Sequence, residues 1–171
     1  MAGIKELRLR IKSVGNIKQI TRAMEMVSTT KLRRFQDRAV ASRPYAEEIA
    51  GLVGRLAGEL GEELADRPLF QQGAGSKVLC LVVSSDRGLC GAYNTNVFRK
   101  VEAWKAEQEG DVEFFSIGKK AEAYLSSNGH VNKRDITDPP LEQMDYRSAA
   151  VVAEMLKKAF ESGEYKSVWI L

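Results

Sequence analysis

The residues whose types and spacing could support chemistry concentrate in one short segment, residues 84–91, which reads SSDRGLCG. Glycines after an apolar run, where a helix is predicted to start, can let backbone N–H groups approach a phosphate. The segment matches neither G-x-G-x-x-G nor the P-loop, although Glu107 and Glu109 stand at a spacing suited to a ribose contact. We therefore favour a tight structural turn in which Asp86 and Arg87 pair locally or cap the following helix.

Cysteine, serine and histidine side chains offer the only other candidates for catalysis. Cys90 is a candidate reactive thiol near a helix start, but no second cysteine lies at C-x-x-C spacing and Cys80 falls within a predicted strand. We expect an inert, partly buried thiol. Ser84 or Ser85 could pair with His130, yet nothing in the sequence brings them together, and we expect His130 to be a solvated loop residue. One histidine and two separated cysteines do not make a metal site, so we predict no catalytic group, metal or cofactor.

Composition excludes several classes of protein. The chain has 171 residues, of which 44% are hydrophobic and 29% are charged, so it is no disordered tail. No window reaches the roughly 18 uninterrupted apolar residues of a membrane span, and the N-terminal residues lack the apolar run of a secretory signal. Residues 1–44 hold 11 Lys and Arg against 3 Asp and Glu, a balance of +8, whereas residues 45–171 hold 15 against 20, a balance of −5. A basic N-terminal segment is thus joined to a mildly acidic domain.

The first segment predicts one long amphipathic helix in the style of a coiled coil. Pro44 should kink it or begin a new helix, with Ser42 as a possible cap. If continuous to about residue 60 the helix is roughly 85 Å long, at 1.5 Å per residue, and cannot bury its apolar seam against its own domain. Four glycines, at 51, 54, 58 and 61, indicate either close approach to a partner helix or a frayed end. The seam recurs in steps of three or four at Ile4, Leu7, Ile11, Val14, Ile17, Ile20, Met24 and Val27.

The rest of the chain predicts an α/β fold: a long N-terminal coiled-coil helix (1–66) followed by a Rossmann-like open domain (67–171) with mostly parallel strands. Buried strands are expected at 77–85, 112–117 and 165–171, with a weaker one at 130–136. Helices are expected at 94–108, 119–127 and 144–162. Because the chain stops inside its last predicted strand, we expect a truncated chain.

The basic residues of the helix allow three interpretations. They could track nucleic-acid phosphates, but no aromatic residues are interleaved with them. They could lie on an anionic membrane, but the seam is narrow and lacks Trp. We favour a shaft whose seam pairs with another helix while its charges face an acidic protein. The residues are Lys5, Arg8, Arg10, Lys12, Lys18, Arg22, Lys31, Arg33, Arg34, Arg38 and Arg43.

Three stretches carry a resemblance to a known family. IKSVGNIKQITRAMEMVSTTKLRRFQ (11–36), SRPYAE (42–47) and SSDRGLCGAYN (84–94) resemble the gamma subunits of F-type ATP synthases, in the same order and separation. The resemblance spans essentially the whole chain. Family chains run well past Leu171 and end in a helix that completes the shaft.

The resemblance implies a central-stalk rotor subunit that transmits torque between the c-ring and the ring of alpha and beta subunits. It implies no catalytic or cofactor site in the chain, and partners that include epsilon. We expect a peripheral position on the cytoplasmic face of a bacterial inner membrane rather than on an organellar inner membrane or a thylakoid membrane. The alternative is a freestanding α/β module, with a basic helical arm, that binds nucleotide or nucleic acid.

The resemblance implies roles for individual residues only where they match the family pattern. Met24, Met26 and Val27 match the segment that faces the acidic lever of beta, and Arg22, Lys31, Arg33 and Arg34 flank that segment. The seam residues from Ile4 to Ile20 would pair with the missing C-terminal helix. Asp86, Arg87, Gly88 and Gly91 match the signature turn, for which we expect a structural role.

Overall fold

The computed structural model describes residues 3–64 and 67–171. The chain divides into two units, the first ending at Leu60 and the second beginning at Gly61. The first unit is a single helix, α1 (Ile4–Leu60), of 57 residues, and none of its residues is buried. The predicted long helix is therefore present.

Helix α1 continues through Pro44, so no second helix begins there. Proline lacks the N–H that would bond to the carbonyl of Val40 four residues back, and a single missing bond is tolerated in a helix of this length. The Ser42 hydroxyl donates to the carbonyl of Ala39 at 3.1 Å. The expectation that Ser42 caps a new helix is therefore wrong, because its hydroxyl bonds back into the preceding turn.

The second unit alternates strands and helices in the order β1 (Lys77–Val83), α2 (Tyr93–Ala106), β2 (Val112–Ile117), α3 (Lys119–Ser127), β3 (Asn132–Ile136), α4 (Tyr146–Glu161) and β4 (Tyr165–Ile170). Short 3-10 turns occur at Gly61–Leu64, Pro68–Phe70 and Leu141–Gln143. The strands form one sheet in the order β3-β2-β1-β4, and every pairing is parallel. The predicted α/β fold is confirmed.

Strand β1 lies at the centre of the core, and its five interior residues are all buried. On one face Cys80 and Val82 pack with Phe114 and with residues of α2 and α3, such as Val101. On the other face Leu81 packs against Val152 of α4. A continuous apolar run is what a strand covered on both faces requires, and each buried aliphatic side chain contributes roughly 1.5–3 kcal/mol.

Strand β4 departs from its predicted burial. It pairs with β1 on one side only, and Trp169 and Ile170 are 45% and 64% exposed. Tyr165 alone among its residues is buried. The apolar run from residue 165 predicts a covered strand, but burial depends on neighbouring elements that an apolar run does not specify.

Candidate functional surfaces

The first six seam residues of helix α1, from Ile4 to Ile20, form an exposed apolar stripe in this structure. Its side chains are between 50% and 72% exposed. A helix normally buries such a stripe against a partner, and six large apolar side chains left in water form a surface suited to association. The six are Ile4, Leu7, Ile11, Val14, Ile17 and Ile20.

The next stretch of α1 combines apolar and basic side chains. Met24, Met26 and Val27 are between 47% and 67% exposed. Val27 and Lys31 lie four residues apart and therefore share one face of the helix. Within the part of the chain that the structure describes, three basic residues of this stretch form no ion pair: Arg22, Arg33 and Arg34. Their guanidinium groups are open to an external acidic group.

The glycines of the C-terminal third of α1 do not interrupt the helix, which includes Gly51, Gly54 and Gly58. Apart from the backbone of the helix itself, no described atom lies within 4 Å of a Cβ built at Gly54 or Gly58. Any close approach of a second backbone at these positions must come from outside the described residues.

In the second unit, Asp86 of the 84–91 turn joins two distant segments. Its Oδ1 accepts from the Lys119 amide at 3.2 Å, at the first residue of α3, and its Oδ2 accepts from the Leu141 amide at 2.7 Å. Asp86 and Arg87 form no ion pair among the residues described. The expected local pairing is therefore absent, and the capped helix is α3 rather than the following helix α2. Parallel strands bring α3 to this edge of the sheet, which spacing along the chain does not reveal.

A second set of bonds closes the turn around Asn94. The Asn94 Oδ1 accepts from the Ser85 amide at 3.2 Å, and its Nδ2 donates to Cys90 Sγ at 3.2 Å. Cys90 is exposed, so the expectation of a partly buried thiol is wrong. Cys80 is fully buried in the core, and this burial raises the pKa of its thiol to about 12.

Only some positions of the turn demand glycine. Gly91 has φ +59°, in the left-handed region that favours glycine. Gly88 shows no such φ, and a Cβ built there meets nothing within 4 Å. Leu89 occupies the left-handed region without being glycine, at φ 62°, and is 94% exposed.

The amide groups at the start of α3, beside the turn, are already bonded within the chain. At the start of α3 the Lys119 amide donates to Asp86, the Lys120 amide to the Ser85 carbonyl at 3.1 Å, and the Ala121 amide to Ser84 Oγ at 2.6 Å. A helix start attracts anions through its unpaired N–H groups, and here the Asp86 carboxylate takes that position. The adjoining cleft, about 380 Å³ in volume, is lined by acidic as well as basic side chains. This geometry disfavours phosphate binding at the start of α3.

A polar network around the buried carboxylate of Glu113 joins all four strands and was not predicted from the sequence. Glu113 of β2 is 6% exposed, and its carboxylate accepts from Lys77 Nζ of β1 at 3.0 Å and from the Tyr165 hydroxyl of β4 at 2.7 Å. Lys133 of β3 lies 3.4 Å from the same carboxylate. Burial alone would raise the pKa of Glu113, but the hydrogen bonds from Tyr165, Lys77 and Lys133 outweigh it and lower that pKa. Burial and the Glu113 carboxylate raise the pKa of Tyr165.

His130 also differs from its expected setting. Its side chain is 5% exposed, with Nε2 2.8 Å from Glu102 Oε1. The ring lies against Phe114 and Tyr124, whose centroids are 5.2 and 6.1 Å away. The expectation of a solvated loop histidine is therefore wrong. No spacing signal connects His130 with Glu102, because the two meet only where α2 packs beside the start of β3.

Among residues 3–64 and 67–171, no cluster of three or more His, Cys, Asp or Glu side chains could hold a metal ion. None of the helices in those same ranges is long and apolar enough to cross a membrane.

Comparisons with known proteins agree with the fold. A family model described as ATP synthase matches residues 3–171. The chain is 37% identical over 174 residues to the ATP synthase gamma chain of Trichlorobacter lovleyi, with all of this chain and 59% of that protein covered. It is 38% identical to the gamma chain of Erythrobacter litoralis, with 96% of this chain and 58% of that protein covered.

Solved structures show a related fold. In the rotor of the Euglena gracilis mitochondrial ATP synthase in rotational state 1, a chain aligns with a TM-score of 0.55 at 19% identity, covering 91% of this chain and 54% of that one. The OSCP/F1/c-ring structure from the same organism, in rotational state 3, gives a TM-score of 0.56. This chain spans about 59% of the length of the curated relatives it matches. By its sequence from residue 3 to residue 171, the chain belongs to the ATP synthase gamma chain family.

Proposed function

We propose that this chain acts in the central-stalk rotor of an F-type ATP synthase, where it carries torque between the c-ring and the ring of alpha and beta subunits. The observation that carries the proposal is helix α1, which has 57 residues and no buried residue, in a chain of the gamma family. A helix of this kind is stable in water only with partners, and a shaft inside a ring of subunits supplies them.

The seam of α1 is proposed to pack against a second helix of the rotor. Its six residues, defined above from Ile4 to Ile20, recur at the spacing of a coiled-coil interface. Burying one such aliphatic side chain contributes roughly 1.5–3 kcal/mol, so the stripe can hold a second helix firmly.

The basic stretch of α1 is proposed to meet the acidic lever of beta. Met24, Met26 and Val27 would face the lever, and Arg22, Lys31, Arg33 and Arg34 would contribute charge contacts. Exposed ion pairs are worth roughly 0.2–1 kcal/mol each, which allows the shaft to release one beta subunit and engage the next. Strong apolar locks would instead hold the rotor at one position.

The chain itself is proposed to be non-catalytic and to need no cofactor, because the chemistry of ATP synthesis belongs to the beta subunits. Asp86, Arg87, Gly88 and Gly91 are assigned a structural role in the α/β unit. The proposed partners are alpha, beta, epsilon and the c-ring. The proposed location is the cytoplasmic face of the bacterial inner membrane, reached as a peripheral part of the complex.

A charge reversal tests the contact with beta. Arg33→Glu with Arg34→Glu, introduced into the assembled synthase in membrane vesicles, should lower the number of protons pumped per ATP hydrolysed. The affinity of beta for nucleotide should stay unchanged. Arg33→Lys with Arg34→Lys keeps both charges and serves as the matched control. Unaltered coupling in the Glu variant would contradict the assignment of these two residues.

A separate experiment tests membership of the complex. Immunoprecipitation of the protein from its source cells, with intact masses of all captured chains, should recover alpha and beta. Recovery of the bait alone would contradict the rotor proposal, whatever the result of the charge reversal.

A further inference from the structure

The buried imidazole of His130 stands between two oppositely charged side chains of one helix. Its Nε2 lies 2.8 Å from Glu102 Oε1, and its Nδ1 lies 3.0 Å from Lys105 Nζ. Both partners belong to α2, three residues apart, whereas His130 precedes β3. The ring therefore bridges an anion and a cation at the junction of α2, α3 and β3.

The two neighbours determine which ring nitrogen carries the proton. An ammonium group can only donate a hydrogen bond, and an ionised carboxylate can only accept one. Nδ1 must therefore accept from Lys105, and Nε2 must carry the hydrogen that it donates to Glu102. Only the neutral Nε2–H tautomer satisfies both contacts.

Other groups around the ring keep Glu102 charged. The Tyr124 hydroxyl donates to Glu102 Oε1 at 2.7 Å. This bond, together with His130 and Lys105, lowers the pKa of Glu102 against the effect of burial. Burial and the bond to Glu102 raise the pKa of Tyr124 to about 12. Among the described residues, the titratable and charged groups in contact with the ring are thus Glu102 and Lys105 from α2 and Tyr124 from α3, while β2 contributes the Phe114 ring.

Protonation of the ring disrupts its contact with Lys105 but not its contact with Glu102. A proton taken from water by Nδ1 places an N–H group against the Lys105 ammonium, so that two donors and two positive charges face each other. The bond from Nε2 to Glu102 survives, and the rings of Phe114 and Tyr124 hold the imidazole in place. The flexible side chain of Lys105 must therefore be the group that moves.

We propose that His130 is a proton-sensitive latch at this junction. The neutral ring bridges Glu102 and Lys105, and the protonated ring releases Lys105 to solvent while it keeps Glu102.

The tautomer is tested first, on the full chain labelled with ¹⁵N. A two-bond ¹H–¹⁵N correlation spectrum at neutral pH should show the Nε2–H form of the one histidine. An Nδ1–H form, or a mixture of the two tautomers, would overturn the proposal.

A titration then tests the latch itself. On acidification the ¹⁵Nζ signal of Lys105 should move to the position of an exposed lysine of the same helix, such as Lys100. His130→Phe keeps an aromatic ring but removes both ring nitrogens, so the Lys105 signal of this variant should not respond to the same acidification. A Lys105 signal that stays in place in the wild type, or that moves equally in His130→Phe, would refute the release of Lys105.

Discussion

Asp86 and Leu141 are 55 residues apart in the chain, yet the Asp86 Oδ2 accepts from the Leu141 amide at 2.7 Å. The other oxygen of the same carboxylate accepts from the amide of Lys119 at the start of α3. One side chain thus fastens the turn after β1 to both segments that flank β3. This relationship gives the acidic residue of the turn a structural role, since its carboxylate accepts from the amides of two segments that lie outside the turn.

Asp86→Ala should destabilise the α/β unit by about 1–3 kcal/mol, because it leaves two amide groups without their acceptor. Asp86→Asn keeps one acceptor oxygen and should have a smaller effect. Urea denaturation followed by circular dichroism measures the free energy of unfolding. Arg87→Ala is the control, with an expected change within about 0.5 kcal/mol. Equal losses for Asp86→Ala and Arg87→Ala would contradict the role given to the carboxylate.

Gly118 and Gly88 should respond differently to alanine. Gly118 has φ +91°, and a Cβ built there collides with the carbonyl of Ser84, which cannot move without disturbing β1. Gly118→Ala should therefore lower the free energy of unfolding by more than about 1 kcal/mol. Gly88→Ala fills open space and should change the free energy of unfolding by less than about 0.5 kcal/mol. Thermal denaturation of both variants provides the comparison, and a tolerated Gly118→Ala would show that the backbone at this corner can adjust.

Glu113→Gln should weaken the α/β unit and reduce its dependence on pH. The pKa of Glu113 is lower in the folded chain than in the unfolded chain. At a pH near these two values the unfolded state therefore binds more protons than the folded state. The stability that the carboxylate provides is therefore present above its unfolded pKa and lost as pH falls through its folded pKa. The free energy of unfolding of the variant should be about 1–3 kcal/mol lower at neutral pH. It should also fall less steeply than that of the wild type as the pH is lowered. Glu109→Gln, at an exposed position, should keep the wild-type slope.

Ile11→Asn should leave the stability of the α/β unit unchanged but reduce assembly of the chain into the synthase. Ile11 is 72% exposed in this structure, so the unfolding of the α/β unit should be unchanged. Within the rotor the same side chain is proposed to be buried against a second helix, where its loss should cost roughly 1.5–3 kcal/mol. Incorporation into the synthase, measured by quantitative immunoprecipitation with alpha and beta, should fall. Lys12→Asn changes the neighbouring residue outside the seam, and a similar loss in this variant would argue against a specific role for the seam.

Several elements were predictable because local pattern alone decides them. The apolar run of β1, the strand β2 and the helix α3 lie where periodicity placed them, and α1 follows from a seam at helical spacing. Two local predictions failed for a tertiary reason. Strand β4 is apolar but exposed on its outer side, and His130 is polar but buried, because each depends on which element packs beside it.

The sequence by itself determined the long helix, the alternation of strands and helices, the basic N-terminal segment and the family. These properties rest on the periodicity and composition of neighbouring residues, which local physics converts into structure. Only the tertiary structure decided that Asp86 caps α3 rather than the next helix, that Glu113 draws one partner from each of the other three strands, and that His130 meets Glu102 and Lys105. These contacts join residues between 20 and 52 positions apart. Parallel pairing brings them together because it aligns strand ends that are separated by whole helices.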